Sequence, residues 1–184
     1  VVDAFIELRR RNRVPSLKLR VGGGCGPGDE SFVTEQRDKL NAAGILGDVS
    51  FHPNVSRGEK IEFYAACDVL SVPAKISESF GLYVIESLAA GTPLVQPEVA
   101  TYPELLTDTG GGVLCGPNNV GALVATLEPL LLDPARLRRL GDAGRKSVVA
   151  RYTDDAMAEG VIAALDMPAK KSIPRSGVGK SSVA

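Results

Sequence analysis

The sequence has no Trp and a single His, His52, among its 184 residues. Cysteine is scarce too. Cys25, Cys67 and Cys115 are odd in number and widely spaced, which excludes a zinc-type spacing and an even disulfide framework and points to a reducing compartment. No apolar run approaches transmembrane length and no signal peptide opens the chain, so a cytoplasmic location is the expectation. A net charge of -1 argues against bulk attraction to nucleic acid. Internal repeats are absent. What remains is a globular composition, 44% hydrophobic and 23% charged, in a length that suits one domain with a real core.

Along the chain, strand and helix signals alternate. "VVDAFIELRRRNR" puts Val1, Phe5 and Leu8 on one helical face, and a strand, "SLKLRVGG", follows. A parallel unit normally has a strand before each helix, so a first strand, and anything preceding it, is expected to be missing. "DESFVTEQRDKLNAAG" reads as a helix ending at Gly44, then come strand "DVSFH" and helix "RGEKIEFYAAC". The apolar run "DVLSVP" stops at Pro73. Helix "GLYVIESLAAG", strand "PLVQP", helix "YPELLTD" and strand "GGVLCG" follow, and a run of helices from "NVGALVATLEPLLLD" ends near Leu165. This pattern predicts an α/β fold, a doubly wound and mostly parallel Rossmann-like sheet over residues 1–166. The Ser-, Gly- and Lys-rich stretch 167–184 reads as a disordered tail.

Ligands in such sheets bind beyond the carboxyl ends of the strands. Three loops fall there: residues 22–28, 73–81 and 97–103. "VGGGCGPG" lets a backbone approach a phosphate, but Pro27 and Asp29 break the G-x-G-x-x-G spacing, so a phosphate-facing loop and a plain turn both fit. Gly179-Lys180-Ser181 is a decoy, with no strand before it and Pro174 where a P-loop needs glycine. Arg9, Arg10, Arg11 and Arg13 sit at a helix end, where cations complement the dipole and are usually solvated; docking to anionic lipid is the minority reading. His52 closes a strand and could line a pocket.

The stretch "ESFGLYVIESLAAGTP" carries more. Gly81 turns the chain into a helix, leaving the N–H groups of Phe80, Gly81 and Leu82 for anionic or hydroxyl oxygens. Glu86 lies one turn in, with Leu82, Tyr83, Ala89 and Ala90 as helical neighbours and no cation among them. An unpartnered, shielded carboxylate is costly, and two vicinal hydroxyls, as on a ribose, would satisfy it. Removing its charge is therefore expected to leave folding unchanged or improved. An ordinary exposed helix glutamate fits the residues as well.

The two glutamates eight positions apart in "ESFGLYVIE", followed by "SLAAGTPLV", resemble the signature of retaining glycosyltransferases of the group 1, or family 4, type. "LKLRVGGG", "VSFHPNVSRGEKIEFYAACDVLSVP" and "YPELLTDTGGGVLCGPNN" resemble the family's other blocks. The resemblance implies the C-terminal, donor-binding half of a two-domain GT-B enzyme, with the N-terminal domain absent and this fragment inactive alone. By position, Glu86 would hold the ribose, Glu78 would contact the donor sugar as the catalytic residue, and Phe80, Gly81 and Leu82 would offer backbone N–H groups. Gly22 and Gly23 would lie near the phosphates and the His52–Val55 turn near the base. It implies a nucleotide sugar and a sugar or lipid-linked glycan acceptor as partners, peripheral membrane contact at most, and no metal or separate cofactor. Where the family often has paired glycines before Pro103, this chain has Ala100 and Thr101. Alternatives on the same architecture are a glycan phosphorylase, for which Lys39, Lys60 and Lys75 sit in no evident pocket motif, and a non-catalytic nucleotide-binding module.

Overall fold

A computed structural model describes residues 1–74 and 79–166. Glu78 and the predicted tail therefore lie outside the described residues. The chain forms two units, residues 1–152 and residues from 153 onward; the described part of the second is helix α8, Asp154–Asp166. Thr153 Oγ1 accepts from the Ala156 amide at its start.

In the first unit, α1 (Val2–Arg11) leads to β1 (Leu19–Gly23), α2 (Glu30–Ala42) and β2 (Val49–Pro53). Then come α3 (Arg57–Ala65), α4 (Leu82–Ala89), β3 (Leu94–Pro97), α5 (Tyr102–Thr109), β4 (Gly112–Cys115), α6 (Val120–Leu131) and α7 (Pro134–Arg151). The strand pairs are parallel: β1 with β2, placing Gly22 opposite His52, and β3 with β4, placing Pro97 opposite Cys115. The run 68–73 makes only a single parallel bridge, Leu70 to Leu94. Its next amide, Val72, donates to the Gln96 side chain at 2.8 Å instead of to a strand backbone.

β3 shows how the core is built. Side chains alternate across a strand, and β3 is buried at every position. Val95 joins α1 and α6 through Ala4, Leu8, Leu123, Val124 and Leu127. Leu94 joins α4, α5 and α7 through Val84, Leu88, Leu105, Leu106 and Val148. The result is a sheet covered on both faces. On α1 the buried face is Ala4, Phe5 and Leu8: Phe5 and Leu8 are buried as expected, while Val1, the N-cap, stays exposed and Ala4 is buried instead.

α7 reads as a polar helix, yet it docks closely through glycines. A Cβ on Gly141 would stand 2.1 Å from the Gly91 carbonyl oxygen, and one on Gly144 would stand 2.5 Å from a Leu88 methyl and 2.8 Å from the Gly111 Cα. The arginines near α1 are structural. Arg9 donates to the Leu17 carbonyl and pairs with Asp48, Arg10 and Arg11 hold Glu7, and Arg11 and Arg13 flank Glu128 of α6. They are not simply solvated, as a helix-end cluster usually is.

Candidate functional site

Parallel pairing puts the carboxyl ends of β1 and β2 side by side, so Gly22, Gly23, His52 and Pro53 share one edge. The Phe63 ring from α3 packs beneath them. A Cβ on Gly22 would stand 2.9 Å from that ring, and the His52 ring meets it edge-on at 5.5 Å. Asn54, in the left-handed region at φ 52°, clamps the glycine loop. Its amide donates to the Gly23 carbonyl, its Oδ1 accepts from the Cys25 amide at 2.8 Å, and its Nδ2 donates to the Cys25 carbonyl at 2.8 Å. Two loops that are 29 residues apart in sequence are thus tied together by three hydrogen bonds.

α4 begins at Gly81, whose φ of 78° only glycine adopts without strain. Leu82 and Phe80 beside it are exposed, although both are apolar. Glu86 is half-buried one turn further along, and here the structure corrects the expectation of an unpaired charge. Lys60 Nζ donates to Glu86 Oε1 at 2.5 Å, and the Tyr64 hydroxyl donates to Oε2 at 3.1 Å. Both partners come from α3, four residues apart and so on one helical face. Helical neighbours alone do not reveal this pairing, because both partners stand on another helix. Burial, reinforced by the charge of Glu86, pushes the Tyr64 hydroxyl well above the ordinary tyrosine range, so it stays a donor. Thr92 fixes the pair of helices, donating from Oγ1 to the Tyr64 carbonyl at 2.7 Å, while Ser87 donates to the Thr92 carbonyl at 3.0 Å.

At the end of β3 a buried polar network frames the loop that follows Pro73. Gln96, fully buried, accepts from Val72 N–H and donates to the Tyr83 hydroxyl at 3.3 Å. Tyr83 and Tyr102 share a hydroxyl–hydroxyl bond of 2.5 Å. Ala100 lies just beyond, at φ 52°, a conformation that suits the glycine expected there. Tyr64, Thr92 and Gln96 were not singled out from sequence; Lys60 entered only as a lysine outside any phosphorylase pocket motif, and Asn54 only as part of the His52–Val55 turn. The i, i+4 spacing of Lys60 and Tyr64 was the one usable signal. Among the described residues no group of three His, Cys, Asp or Glu side chains is placed to hold a metal, and no helix is long and apolar enough to cross a membrane.

The chain matches the family described as glycosyl transferases group 1 over residues 1–147. It is 35% identical over 142 residues to a D-inositol 3-phosphate glycosyltransferase of Streptomyces bingchenggensis, covering 77% of this chain and 30% of that protein. Among solved structures it resembles Anabaena Alr3699/HepE in complex with UDP, with a TM-score of 0.77 at 18% identity, covering 89% of this chain and 44% of the other. It also resembles the C-terminal domain of a Francisella tularensis group 1 glycosyl transferase, LpcC, with a TM-score of 0.64 at 17% identity, covering 83% of this chain and 98% of that one. The chain spans about a third of the length of the curated relatives it matches. The parallel two-faced sheet, the paired loops at its carboxyl edge and the match over most of its length place this chain in the group 1 glycosyltransferase family, as a C-terminal domain of the GT-B fold.

Proposed function

We propose that the whole protein moves a sugar from a nucleotide-diphosphate donor to a hydroxyl acceptor with retention at the anomeric carbon, and that residues 1–166 are its donor-binding half. The observation that carries this reading is the setting of Glu86. An ionised carboxylate has about four acceptor sites. Lys60 takes one on Oε1 and Tyr64 one on Oε2, so each oxygen keeps a further site, aimed by two fixed donors. Vicinal ribose hydroxyls are the ligand that such a carboxylate fits. Gly22, Gly23 and the Asn54-clamped loop would then lie along the diphosphate and His52 near the base. Phe80, Gly81 and Leu82 would offer backbone N–H groups. The resemblance assigns Glu78 to the donor sugar.

The chemistry asks little of acid–base groups in this half. The leaving diphosphate takes up charge as the glycosidic bond breaks, and positioned donors stabilise that charge. No metal or separate cofactor is part of this proposal. The acceptor, a sugar or a lipid-linked glycan, would be met by the other half, in a cytoplasmic protein. Of the arginines near α1, all but Arg10 are committed to partners in other parts of the fold, so they offer little free charge for docking on a membrane.

UDP, the nucleotide bound in the Anabaena structure, is the first ligand to test, with ADP and GDP as comparisons. Titration calorimetry should show Glu86→Gln losing about 10- to 150-fold in affinity, the equivalent of roughly 1.5–3 kcal/mol for a charge-assisted hydrogen bond. A 2′,3′-dideoxy nucleotide should bind both proteins equally weakly. Undiminished binding of the ribonucleotide by Glu86→Gln would make Glu86 a structural ion-pair residue and remove the basis of this reading. Because Lys60 loses its partner, Glu86→Gln should now destabilise the fold slightly, by less than about 1 kcal/mol for so exposed a pair.

A further inference from the structure

β3 carries one polar side chain, Gln96, and it is fully buried. The neighbouring run 68–73 meets β3 at the Leu70–Leu94 bridge, where Leu70 N–H donates to the Pro93 carbonyl and Val95 N–H to the Leu70 carbonyl. A parallel ladder would continue with the Val72 amide on the Val95 carbonyl and the residue 97 amide on the Val72 carbonyl. Residue 97 is proline and has no N–H to give. The Val72 amide donates instead to Gln96 Oε1 at 2.8 Å, and the Val72 carbonyl accepts from the Ala74 amide at 2.8 Å. The run leaves the sheet at Val72, held there by a side chain where a backbone would otherwise stand.

A backbone N–H can only donate, so the Gln96 oxygen faces Val72 and its NH2 group is left for a second partner. Nε2 donates to the Tyr83 hydroxyl at 3.3 Å, and that hydroxyl is bonded at 2.5 Å to the hydroxyl of Tyr102, itself fully buried. Side chains alternate along β3, so Gln96 shares the face of Leu94, the face packed with α4 and α5, where both tyrosines stand. The points so joined are the ends of two loops. Val72 and Tyr83 stand on either side of residues 73–81, and Gln96 and Tyr102 on either side of residues 97–101.

We infer that Gln96 is a positioning residue: it fixes the two ends of the 73–81 loop against each other and, through Tyr83 and Tyr102, ties them to the far end of the 97–101 loop. A buried amide is a costly choice on an apolar strand unless its polar atoms are paired. An apolar residue at 96 would avoid that cost and would leave the Val72 amide without this acceptor. The bonds are directional, so the reach of one glutamine sets the gap between the departing run and the first turn of α4. Tyr83 lies between Leu82, at the start of α4, and Glu86, which α3 holds through Lys60 and Tyr64. The carboxylate is therefore aimed from α3, and the start of α4 is placed from Gln96. One consequence rests on the donor-site reading: Gln96 then serves the part of the donor beyond the ribose, the diphosphate and sugar that Gly81 and Leu82 would face. The coupling of the loop ends stands on the geometry alone.

The test uses Gln96→Met and Tyr83→Phe in the full-length protein, since both keep the apolar bulk and remove hydrogen bonds. The first readout needs no ligand. In Tyr83→Phe the Val72 amide, which Gln96 accepts from, should exchange with solvent about tenfold faster than any general change at Val95 and Val124 explains. A hydroxyl that only stabilised the fold would speed all three alike. The double variant should melt no lower than the worse single one, because the same chain of bonds is broken either way. If Val72 merely follows Val95 and Val124, or if the two losses add, Gln96 does not couple the loop ends and the inference is overturned. The second readout is affinity for UMP and for UDP-glucose by ligand-observed NMR. Gln96→Met should leave UMP binding unchanged and weaken UDP-glucose about tenfold, with Tyr83→Phe carrying both readouts if Gln96→Met does not fold. Equal loss of both ligands, or no loss of UDP-glucose, overturns the assignment to the diphosphate and sugar end. If the unmodified protein binds no nucleotide, the donor reading fails instead, and exchange at Val72 alone decides whether Gln96 holds the loops.

Discussion

The two strand pairs are the same motif built for different ends. β3 is buried at all four positions and lies between two apolar clusters, with α4, α5 and α7 on one face and α1 and α6 on the other. β1 and β2 have no buried position, and beneath them only Leu40, Phe63 and Tyr64 are buried. Yet Gly22, Gly23, His52 and the Asn54 clamp stand on the weaker pair. Buried packing is concentrated in one half, and the β1–β2 edge with its glycine loop has little of it, so that edge is expected at the low-stability end of the structure. Native-state hydrogen exchange should therefore find the β1–β2 half opening at lower free energy than β3. Equal protection would erase the contrast.

The sharpest way to break the scaffold half is Gly141→Ala. The new Cβ would meet a backbone carbonyl at 2.1 Å, which cannot rotate away as a side chain could. Overpacking of this kind costs about 1–3 kcal/mol, more than the helix propensity that alanine gains. Gly160→Ala on α8 has nothing within 4 Å and is the control, gaining up to about 1 kcal/mol of helix propensity. Thermal melting of both variants decides it. If Gly141→Ala melts no lower than wild type, α7 does not dock on the Gly91 turn as described.

The β1–β2 half, the donor side in the proposed function, should respond differently. Asn54→Ala removes two hydrogen bonds to Cys25 at an exposed turn, so stability should drop by about 1 kcal/mol or less. Nucleotide affinity should fall by more than that drop suggests, because the glycine loop loses its fixed position and ordering it is charged against binding. Parallel melting and calorimetry separate the two effects. A variant with lower stability and unchanged UDP affinity would make Asn54 a structural turn residue only.

Ala100 offers a gain. A left-handed conformation costs a non-glycine residue roughly 1–2 kcal/mol, part of which Ala100→Gly returns to the unfolded chain as entropy. The net expectation is a stabilisation of under about 1 kcal/mol, read as a small rise in melting temperature. A fall would show that the 97–101 loop adopts another conformation.

Much of this was legible because parallel α/β chains write their order into local signals. Gly44 and Gly81 marked helix ends, and the buried run Leu94 to Pro97 marked a strand. Gly22, His52 and Pro97 fell on the carboxyl edge as the alternation required. What stayed hidden was long-range pairing. Lys60 lies 26 residues from Glu86 and Asn54 lies 29 from Cys25, and no local period connects them. The glycines of α7 were unreadable for the same reason, since a close approach is a property of two helices and not of one. The single bridge at Leu70 shows the converse: an apolar run with strand character forms a strand only as far as a backbone ladder runs beside it, and here that ladder is one bridge long.

The smallest effect lies at the margin of the scaffold half, where the end of α7 is tied to α5. Asp108 accepts from Tyr152 at 2.5 Å and from Arg151 at 2.6 Å. The Tyr152 hydrogen bond, and then Arg151, hold its carboxyl below the usual aspartate range. A carboxyl lowered by folding contributes stability that is present above the unfolded value, about 4, and lost as pH falls through the folded one. The hydroxyl is the mirror case: burial first, then Asp108, pushes Tyr152 up to about 12. Its contribution is whole below the ordinary tyrosine range and fades as pH climbs toward 12. Because the cluster is exposed and screened, Asp108→Asn should lower the melting temperature by only about 1 °C at pH 7. That gap should hold down to about pH 5, begin to close as pH falls past about 4, and vanish only once pH has passed through the lower folded value, where the wild-type carboxyl is itself protonated. A gap that persists unchanged into acid would mean that the α5–α7 tie does not depend on the charge of Asp108, leaving its shape and its neutral hydrogen bonds to hold this corner of the scaffold.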